Sequence, residues 1–199
     1  MKKIYLVRHG QTLFNLRKKT QGWCDSPLTP LGIQQAKATS EYLKEKGIHF
    51  DAVYSSTSER CCDTTELLTD QPYKRLKGLK EWNFGILEGE PEDLQRSRDP
   101  WSGTIANTHG DFFVRFGGES EVEVQERMNK TLKEIMDQEG HNSVLAVSHA
   151  GASWMFYLTR NTAAEVPGLE FGNCCVLEYE YDGQDFKFIS ITNPARDLK

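Results

Sequence analysis

Short β-branched runs that alternate with helical segments constrain the fold of this chain more than any other feature. Residues 2–7 and 143–148 are two such runs, and each is typical of a buried strand. A third run, residues 51–54, lies between two segments whose composition and apolar spacing favour helices. Strands that alternate with helices predict an α/β protein with three layers and a mainly parallel sheet.

Capping residues indicate where the helices begin and end. Thr29 suits an N-cap, Pro30 suits the first helical position, and Gly47 suits the end of the same helix. The remaining predicted elements are a helix over about 59–69, a helix that starts after the N-cap Ser120 and ends at Gly140, a short helix that follows residues 149–151 and ends at about Arg160, a strand over 73–76, and a hairpin formed by 174–181 and 186–192.

The domain organisation is expected to be simple. A length of 199 residues fits one domain, and no repeat or low-complexity linker divides the chain, so we expect a single domain over residues 1–199. Residues 82–118 have weak periodicity and are typical of a lid-like insertion. Its candidate lid residues are Trp101, His109, Phe112, Phe113 and Arg115, and core packing is the alternative for the two phenylalanines.

Charge, hydropathy and cysteine usage argue against several function classes. A net charge of −5 disfavours nucleic-acid binding. No segment approaches the ~20 apolar residues of a membrane helix, and no signal peptide is evident. Five cysteines without a CxxC pair indicate reduced thiols. We expect a cytoplasmic monomer or homodimer with a small-molecule substrate and neither nucleic acid nor membrane as partner.

Histidines and arginines follow three of the predicted strands. Arg8 and His9 follow the first strand, Arg60 lies shortly after the second, and His149 follows residues 143–148. Ligands of open α/β sheets bind at the carboxyl ends of the strands, so these side chains are expected to converge. Guanidinium groups match phosphate oxygens, and a neutral imidazole is a nucleophile. The cluster therefore favours phosphoryl transfer.

Each member of this cluster also has a simpler interpretation. His149 alone is typical of a hydrogen-bonded structural histidine, Arg60 of a surface helix residue, and Arg8 of a strand-edge charge.

A further feature supports the functional interpretation, because the helix predicted to begin near Glu59 would add backbone N–H groups facing an anion. The joint pattern favours the functional interpretation.

Five ordered motifs resemble those of the histidine phosphatase, or phosphoglycerate mutase, superfamily. They are residues 8–12 with Asn15, 22–25 and 28–32, then residues 55–64, residues 79–85 with 88–89, residues 117–120, and residues 147–151. The resemblance spans nearly the whole chain. It implies a phosphoglycerate mutase-like fold and a reaction through phosphohistidine.

The resemblance also implies a role for each matching residue. His9 would attack phosphorus, and Glu81 would protonate the leaving oxygen and then deprotonate the attacking water. Ala150 stands where acid phosphatases and phytases carry an aspartate donor, which leaves Glu81 as the matching carboxylate. The implied catalytic residues are Arg8, His9, Arg60, Glu81 and His149, and the implied substrate-binding residues are Arg8, Asn15, Gln21, Gly22, Arg60, Glu81, His149 and Ala150.

The resulting hypothesis is a phosphatase that hydrolyses small phosphomonoesters without a metal or other cofactor. The first alternative is a cofactor-dependent phosphoglycerate mutase. Trp82 stands where those mutases usually have an arginine that helps hold the substrate carboxylate, which favours the phosphatase. The second alternative is a non-catalytic module that binds a phosphorylated ligand, although His9 and Glu81 are both present.

Overall fold

A computed structural model describes residues 1–96, 109–161 and 170–198. Its strands are β1 (Lys2–Arg8), β2 (Ala52–Ser56), β3 (Lys74–Leu76), β4 (Ser143–Ser148), β5 (Val176–Tyr181) and β6 (Phe186–Thr192). Its α-helices are α1 (Leu13–Leu16), α2 (Pro30–Glu45), α3 (Glu59–Leu68), α4 (Glu92–Arg96), α5 (Glu121–Met136) and α6 (Ala150–Leu158). No helix within these three ranges is long and apolar enough to cross a membrane.

One sheet contains all six strands, in the order β3-β2-β4-β1-β5-β6. The first four strands are parallel, whereas β5 runs antiparallel to β1 and β6 antiparallel to β5. The sheet is therefore mixed but mostly parallel, which confirms the predicted fold class. Arg8 at the end of β1 pairs with Ser148 at the end of β4, so the residues that follow both strands emerge side by side.

Helices cover both faces of the sheet because alternate side chains of a strand point to opposite faces. Ile4 and Leu6 of β1 belong to a core that includes side chains of α5 and α6. Tyr5 and Val7 belong to a second core with side chains of α2 and α3. The two cores give the three-layer arrangement that the sequence predicted.

Local signals placed the helix ends within a few residues. The hydroxyl of Thr29 accepts the N–H of Gly32 at 3.0 Å, and Pro30 is the first residue of α2. Gly47 follows that helix with a φ of +65°, a conformation that favours glycine. The predicted hairpin is confirmed by the antiparallel pairing of β5 and β6.

Part of the 82–118 segment lies in the main core. Phe112 and Phe113 are buried, and the ring of Phe113 lies 5.6 Å from that of Trp82. These two phenylalanines therefore follow the core-packing alternative rather than the lid hypothesis. Trp101, another candidate lid residue, lies outside the described residues.

Candidate active site

The carboxyl ends of β1 and β4 bring two histidines together. His9 and His149 are the residues that directly follow these strands, and both are buried. Their ring centroids lie 5.2 Å apart, with an angle of 67° between the ring planes. Arg60, in the first turn of α3, is fully buried and contacts His149. The convergence predicted from strand ends is therefore present in the fold.

His9 is held in the form that a nucleophile requires. Its Nδ1 lies 2.8 Å from the carbonyl oxygen of Gly10, which can only accept, so Nδ1 carries the proton and Nε2 keeps its lone pair. Burial first, and then the positive charges of Arg60 and Arg8, hold the pKa of His9 well below its ordinary value of 6.5. The imidazole is therefore neutral at physiological pH.

The loop that follows His9 packs tightly against the start of α2. A Cβ atom at Gly10 would lie 2.5 Å from the carbonyl oxygen of Gly32, so no larger residue fits without moving the backbone. The N–H of Gly10 donates to the hydroxyl of Thr64 at 3.1 Å, and the N–H of His9 donates to the carbonyl of Ser148 at 3.1 Å. The backbone on both sides of the His9 side chain is thus fixed.

A turn before β5 supports the same segment. Asn173 donates from Nδ2 to the carbonyl of His9 at 3.1 Å and to Oδ1 of Asn15 at 3.3 Å. Cys174 has a left-handed φ of +59° and donates its N–H to the carbonyl of Arg8 at 3.1 Å. Sequence reasoning missed both residues, because no local pattern connects them to the loop after β1.

Asn15 is oriented by two donors. Its Oδ1 accepts from the N–H of Thr12 at 3.1 Å as well as from Asn173. Because both donors use the carbonyl end of the amide, the Nδ2 group is the end left for an acceptor. Asn15, which the resemblance implies as a substrate-binding residue, therefore presents a donor rather than an acceptor.

The guanidinium group of Arg60 organises the loop over residues 22–25. Its Nη1 donates to the carbonyl of Cys24 at 3.0 Å and to Oδ1 of Asp25 at 2.9 Å. Its Nη2 donates to the carbonyl of Gly22 at 2.8 Å and to Nδ1 of His149 at 2.9 Å. Four of its five N–H groups therefore bind protein atoms.

Asp25 occupies the N-terminus of α3. Its Oδ2 accepts the N–H of Glu59 at 2.5 Å, while Oδ1 binds Arg60. A carboxylate of the chain itself therefore takes the first N–H group of this helix and complements the helix dipole, whereas the sequence predicted that the N–H groups at this end would face a substrate anion. Asp25 stood in a family motif, but the sequence assigned no role to it.

Two buried donors remain at the site. Arg8 donates from Nη1 to the carbonyl of Phe171 at 2.5 Å. The Nε groups of Arg8 and Arg60 are buried and have no hydrogen-bond partner among the residues that the structure describes. Buried N–H groups are rarely left unpaired, and an oxyanion is the kind of acceptor that a guanidinium N–H group binds well.

His149 is a fixed neutral imidazole. Arginine has no acceptor, so the contact from Arg60 requires that Nδ1 of His149 accept and that Nε2 carry the proton. Nε2 then donates to Oγ of Ser56 at 2.8 Å. Burial, followed by the charge of Arg60, holds the pKa of His149 well below 6.5. A phosphoryl oxygen would compete with Ser56 for the Nε2 proton.

The carboxyl group of Glu81 lies at the N-terminus of α6, whose N-cap residue is His149. Its Oε1 accepts the N–H groups of Trp82 at 2.8 Å and Ala152 at 2.7 Å, and Oε2 accepts the N–H of Gly151 at 3.0 Å. Each carboxylate oxygen has two lone pairs, so Oε2 retains one. Oε2 is therefore the atom on which Glu81 can carry a proton.

The other predicted substrate-binding residues support the loop around Arg60. Gln21 accepts from the hydroxyl of Thr12 at 2.6 Å and donates to Oγ of Ser26 at 3.0 Å, so its amide is used within the protein. Gly22 contributes its carbonyl to Arg60, and Ala150 is the first residue of α6.

Within residues 1–96, 109–161 and 170–198, no group of three His, Cys, Asp or Glu residues is placed to hold a metal ion.

This α/β fold, with paired histidines and arginines at the ends of parallel strands, matches a known class of protein. The family model of the histidine phosphatase superfamily (branch 1) matches residues 4–194. The chain belongs to this superfamily.

Its relatives include proteins with phosphatase and mutase names. The chain is 33% identical to the broad-specificity phosphatase YOR283W of Saccharomyces cerevisiae, over 78% of this chain and 70% of that protein. It is 34% identical to a probable phosphoglycerate mutase GpmB of Yersinia pestis, over 76% and 71%. A crystal structure of phosphoserine phosphatase from Entamoeba histolytica, in complex with 3-phosphoglyceric acid, matches with a TM-score of 0.81 and 26% identity over 98% of this chain and 100% of that one.

Proposed function

We propose that this protein hydrolyses small phosphomonoesters through a phosphohistidine at His9, without a metal ion. The observation that carries the proposal is the state of His9, a buried neutral imidazole whose Nδ1 donates to Gly10 and whose Nε2 keeps its lone pair for attack. The Nε groups of Arg8 and Arg60, which have no partner among the described residues, supply matching donors for phosphoryl oxygens. Two arginines provide charge of the kind that a metal ion supplies elsewhere.

In the first step, Nε2 of His9 attacks phosphorus and the N–P bond forms. The bond from phosphorus to the ester oxygen breaks, and the electron pair goes to that oxygen. Glu81 donates its proton from Oε2 to the same oxygen, so the leaving group departs as a neutral alcohol. Arg8 and Arg60 stabilise the charge on the other phosphoryl oxygens.

In the second step, water attacks the phosphorus of phosphohistidine. Glu81 accepts a proton from this water at Oε2 as the new P–O bond forms. The N–P bond breaks and its electron pair returns to Nε2 of His9. Inorganic phosphate leaves, and Glu81 is again protonated for the next cycle.

A phosphoglycerate mutase is the second candidate, because a relative carries that name. A mutase must hold the substrate carboxylate and return the phosphoryl group to the substrate. The residue after Glu81 is Trp82, which is 1% exposed and donates from Nε1 to the carbonyl of Glu119 at 2.7 Å. Its side chain belongs to the core and offers no cation to a carboxylate, which supports the phosphatase.

The deciding experiment measures phosphate release from a panel of phosphomonoesters in the presence of EDTA. Wild type is compared with His9→Ala and with His49→Ala, since His49 is exposed and precedes the amino end of β2, whereas His9 follows the carboxyl end of β1. We expect release by the wild type and His49→Ala, and none by His9→Ala. No release by the wild type from any compound would overturn hydrolysis in favour of a mutase or a binding module. Activity lost in EDTA and restored by a metal would overturn metal independence.

The proposal extends to the compartment and partners of the protein. All five cysteines are free thiols, which is typical of a reducing compartment. We propose a cytoplasmic protein, a monomer or homodimer, whose partner is a small phosphorylated substrate rather than nucleic acid or membrane. Cell fractionation and light scattering test these two points.

A further inference from the structure

Arg127 of α5 binds the segment that leads to Glu81. Its side chain is 17% exposed. Nη1 donates to the carbonyls of Gly78 at 3.0 Å and Lys80 at 2.8 Å, and Nη2 donates to the carbonyl of Glu81 at 3.2 Å. Three backbone carbonyls of this short segment are thus fixed by one side chain, from a helix that contributes no residue to the site described above.

Glu119 fixes Arg127 in turn. Nε of Arg127 donates to Oε1 of Glu119 at 2.9 Å, and Nη2 donates to Oε2 at 2.8 Å. Oε2 also accepts the N–H of Asn83 at 3.0 Å, and the carbonyl of Glu119 accepts from Nε1 of Trp82. All five N–H groups of Arg127 have acceptors. Arg127 and Glu119 together bind the backbone before and after Glu81, in a segment over residues 78–83 that is called the Glu81 loop below.

We propose that Arg127, fixed by Glu119, is the positioning residue for Glu81, an inference that rests on the proposed phosphohistidine reaction. The amides of α6 fix the carboxyl group of Glu81, and Arg127 fixes the backbone from which that side chain extends. A planar guanidinium group reaches several carbonyls at once, which the single ammonium of lysine does not. Arg127→Lys therefore keeps the charge but releases the loop.

Leaving groups of different basicity separate positioning from a merely structural role. An alkyl phosphate needs the proton of Glu81 when the P–O bond breaks, because an alkoxide is a strong base. The 2,4-dinitrophenolate ion leaves without a proton. The value of kcat/KM covers only the steps up to formation of phosphohistidine, so the second role of Glu81 does not enter it.

The experiment compares kcat/KM for an alkyl phosphate and for 2,4-dinitrophenyl phosphate in Arg127→Lys and wild type. We expect the alkyl value to fall by roughly 30-fold, since a shift of about 1 Å at a catalytic group is costly, and the aryl value by less than about threefold. Arg160→Lys is the control, because Arg160 has the same 17% exposure and its own ion pair with Asp185. It should leave both values unchanged.

An equal fall for both substrates would overturn the proposal, because a structural role weakens the whole site. If Arg127→Lys does not fold, Glu119→Gln replaces it, since this variant removes the charge that fixes Arg127 while preserving shape. An unchanged ratio of the two substrates in Glu119→Gln would also overturn positioning. Failure of the proposed function is distinct from these outcomes, because the wild type itself would then form no phosphohistidine with either substrate.

Discussion

Nη2 of Arg60 lies 2.9 Å from Nδ1 of His149, and this contact determines where the imidazole proton resides. Because a guanidinium group only donates, Nδ1 must accept. Nε2 of His149 therefore carries the proton and faces Oγ of Ser56. The neighbouring His9 has the opposite arrangement, with its proton on Nδ1 towards Gly10. Two adjacent histidines thus hold opposite neutral tautomers.

We expect nuclear magnetic resonance to detect these two tautomers directly. Long-range proton–nitrogen correlation at pH 7 should show a protonated Nδ1 for His9 and a protonated Nε2 for His149. His9→Asn and His149→Asn assign the signals. A protonated Nδ1 in His149 would contradict the contact with Arg60, and a doubly protonated ring at pH 6 would contradict the lowered pKa values of both histidines.

The stability of the protein should fall as the pH drops below about 6.5. The pKa values of His9 and His149 are lowered in the folded state, chiefly by burial, so only the unfolded chain takes up protons just below 6.5. For each histidine the loss of unfolding free energy steepens below 6.5 and approaches about 1.4 kcal/mol per pH unit about one unit lower, until the lowered folded pKa is reached. Stability is fully present above 6.5. Urea unfolding between pH 7.5 and 5.5 measures this slope.

Substitution of one buried histidine should reduce that slope. In His149→Asn one fewer proton is taken up on unfolding, so the slope at the acidic end of this range should fall by up to about 1.4 kcal/mol per pH unit. The exposed His49 provides the control, and His49→Asn should keep the wild-type slope. The same slope in both variants would show that burial of His149 does not suppress its protonation.

Replacement of Glu81 should separate the two chemical steps. In Glu81→Ala, we expect kcat/KM for alkyl phosphates to fall by roughly 10²- to 10⁴-fold, because the leaving oxygen receives no proton. An activated aryl phosphate should still phosphorylate His9, and phosphohistidine should accumulate because water lacks a base. Rapid-quench burst measurements detect this species. The absence of a burst, with turnover equal to that of the wild type, would remove Glu81 from both steps.

Gly151 tests how closely the start of α6 must approach Glu81. A Cβ atom at this position would lie 2.8 Å from Oε1 of Glu81 and would push the carboxyl group aside. Gly151→Ala should therefore lower kcat/KM for alkyl phosphates by roughly tenfold. Alanine favours helix, so we expect the melting temperature to stay equal or rise.

Gly47→Ala is the control for this substitution, because it should lower stability without changing activity. Gly47 has a left-handed backbone and open space around it, so alanine there should lower stability by about 1 kcal/mol and leave activity unchanged. Gly47→Ala shows how much activity a given loss of stability costs. If Gly151→Ala loses stability and only the activity that this relation predicts, the displacement of Glu81 is contradicted.

Local patterns explain which parts of the fold could be predicted. Apolar runs and capping residues such as Thr29 and Gly47 act over a few positions, so the helices and strands follow from short windows of sequence. Asp25 binds Arg60 across 35 positions, and Asn173 binds the backbone of His9 across 164. No periodicity encodes a contact between such distant segments, so the sequence did not reveal that Asp25 binds the first N–H group of α3.

The sequence by itself determined the order of strands and helices, the mostly parallel sheet, and the placement of His9 and His149 at strand ends. Only the tertiary structure decided the tautomer of each histidine, the lone pair left on Glu81, and the hold of Arg127 on the Glu81 loop. The physical reason is that backbone periodicity is local, whereas a hydrogen bond is satisfied by whichever donor or acceptor the packed chain brings within about 3 Å.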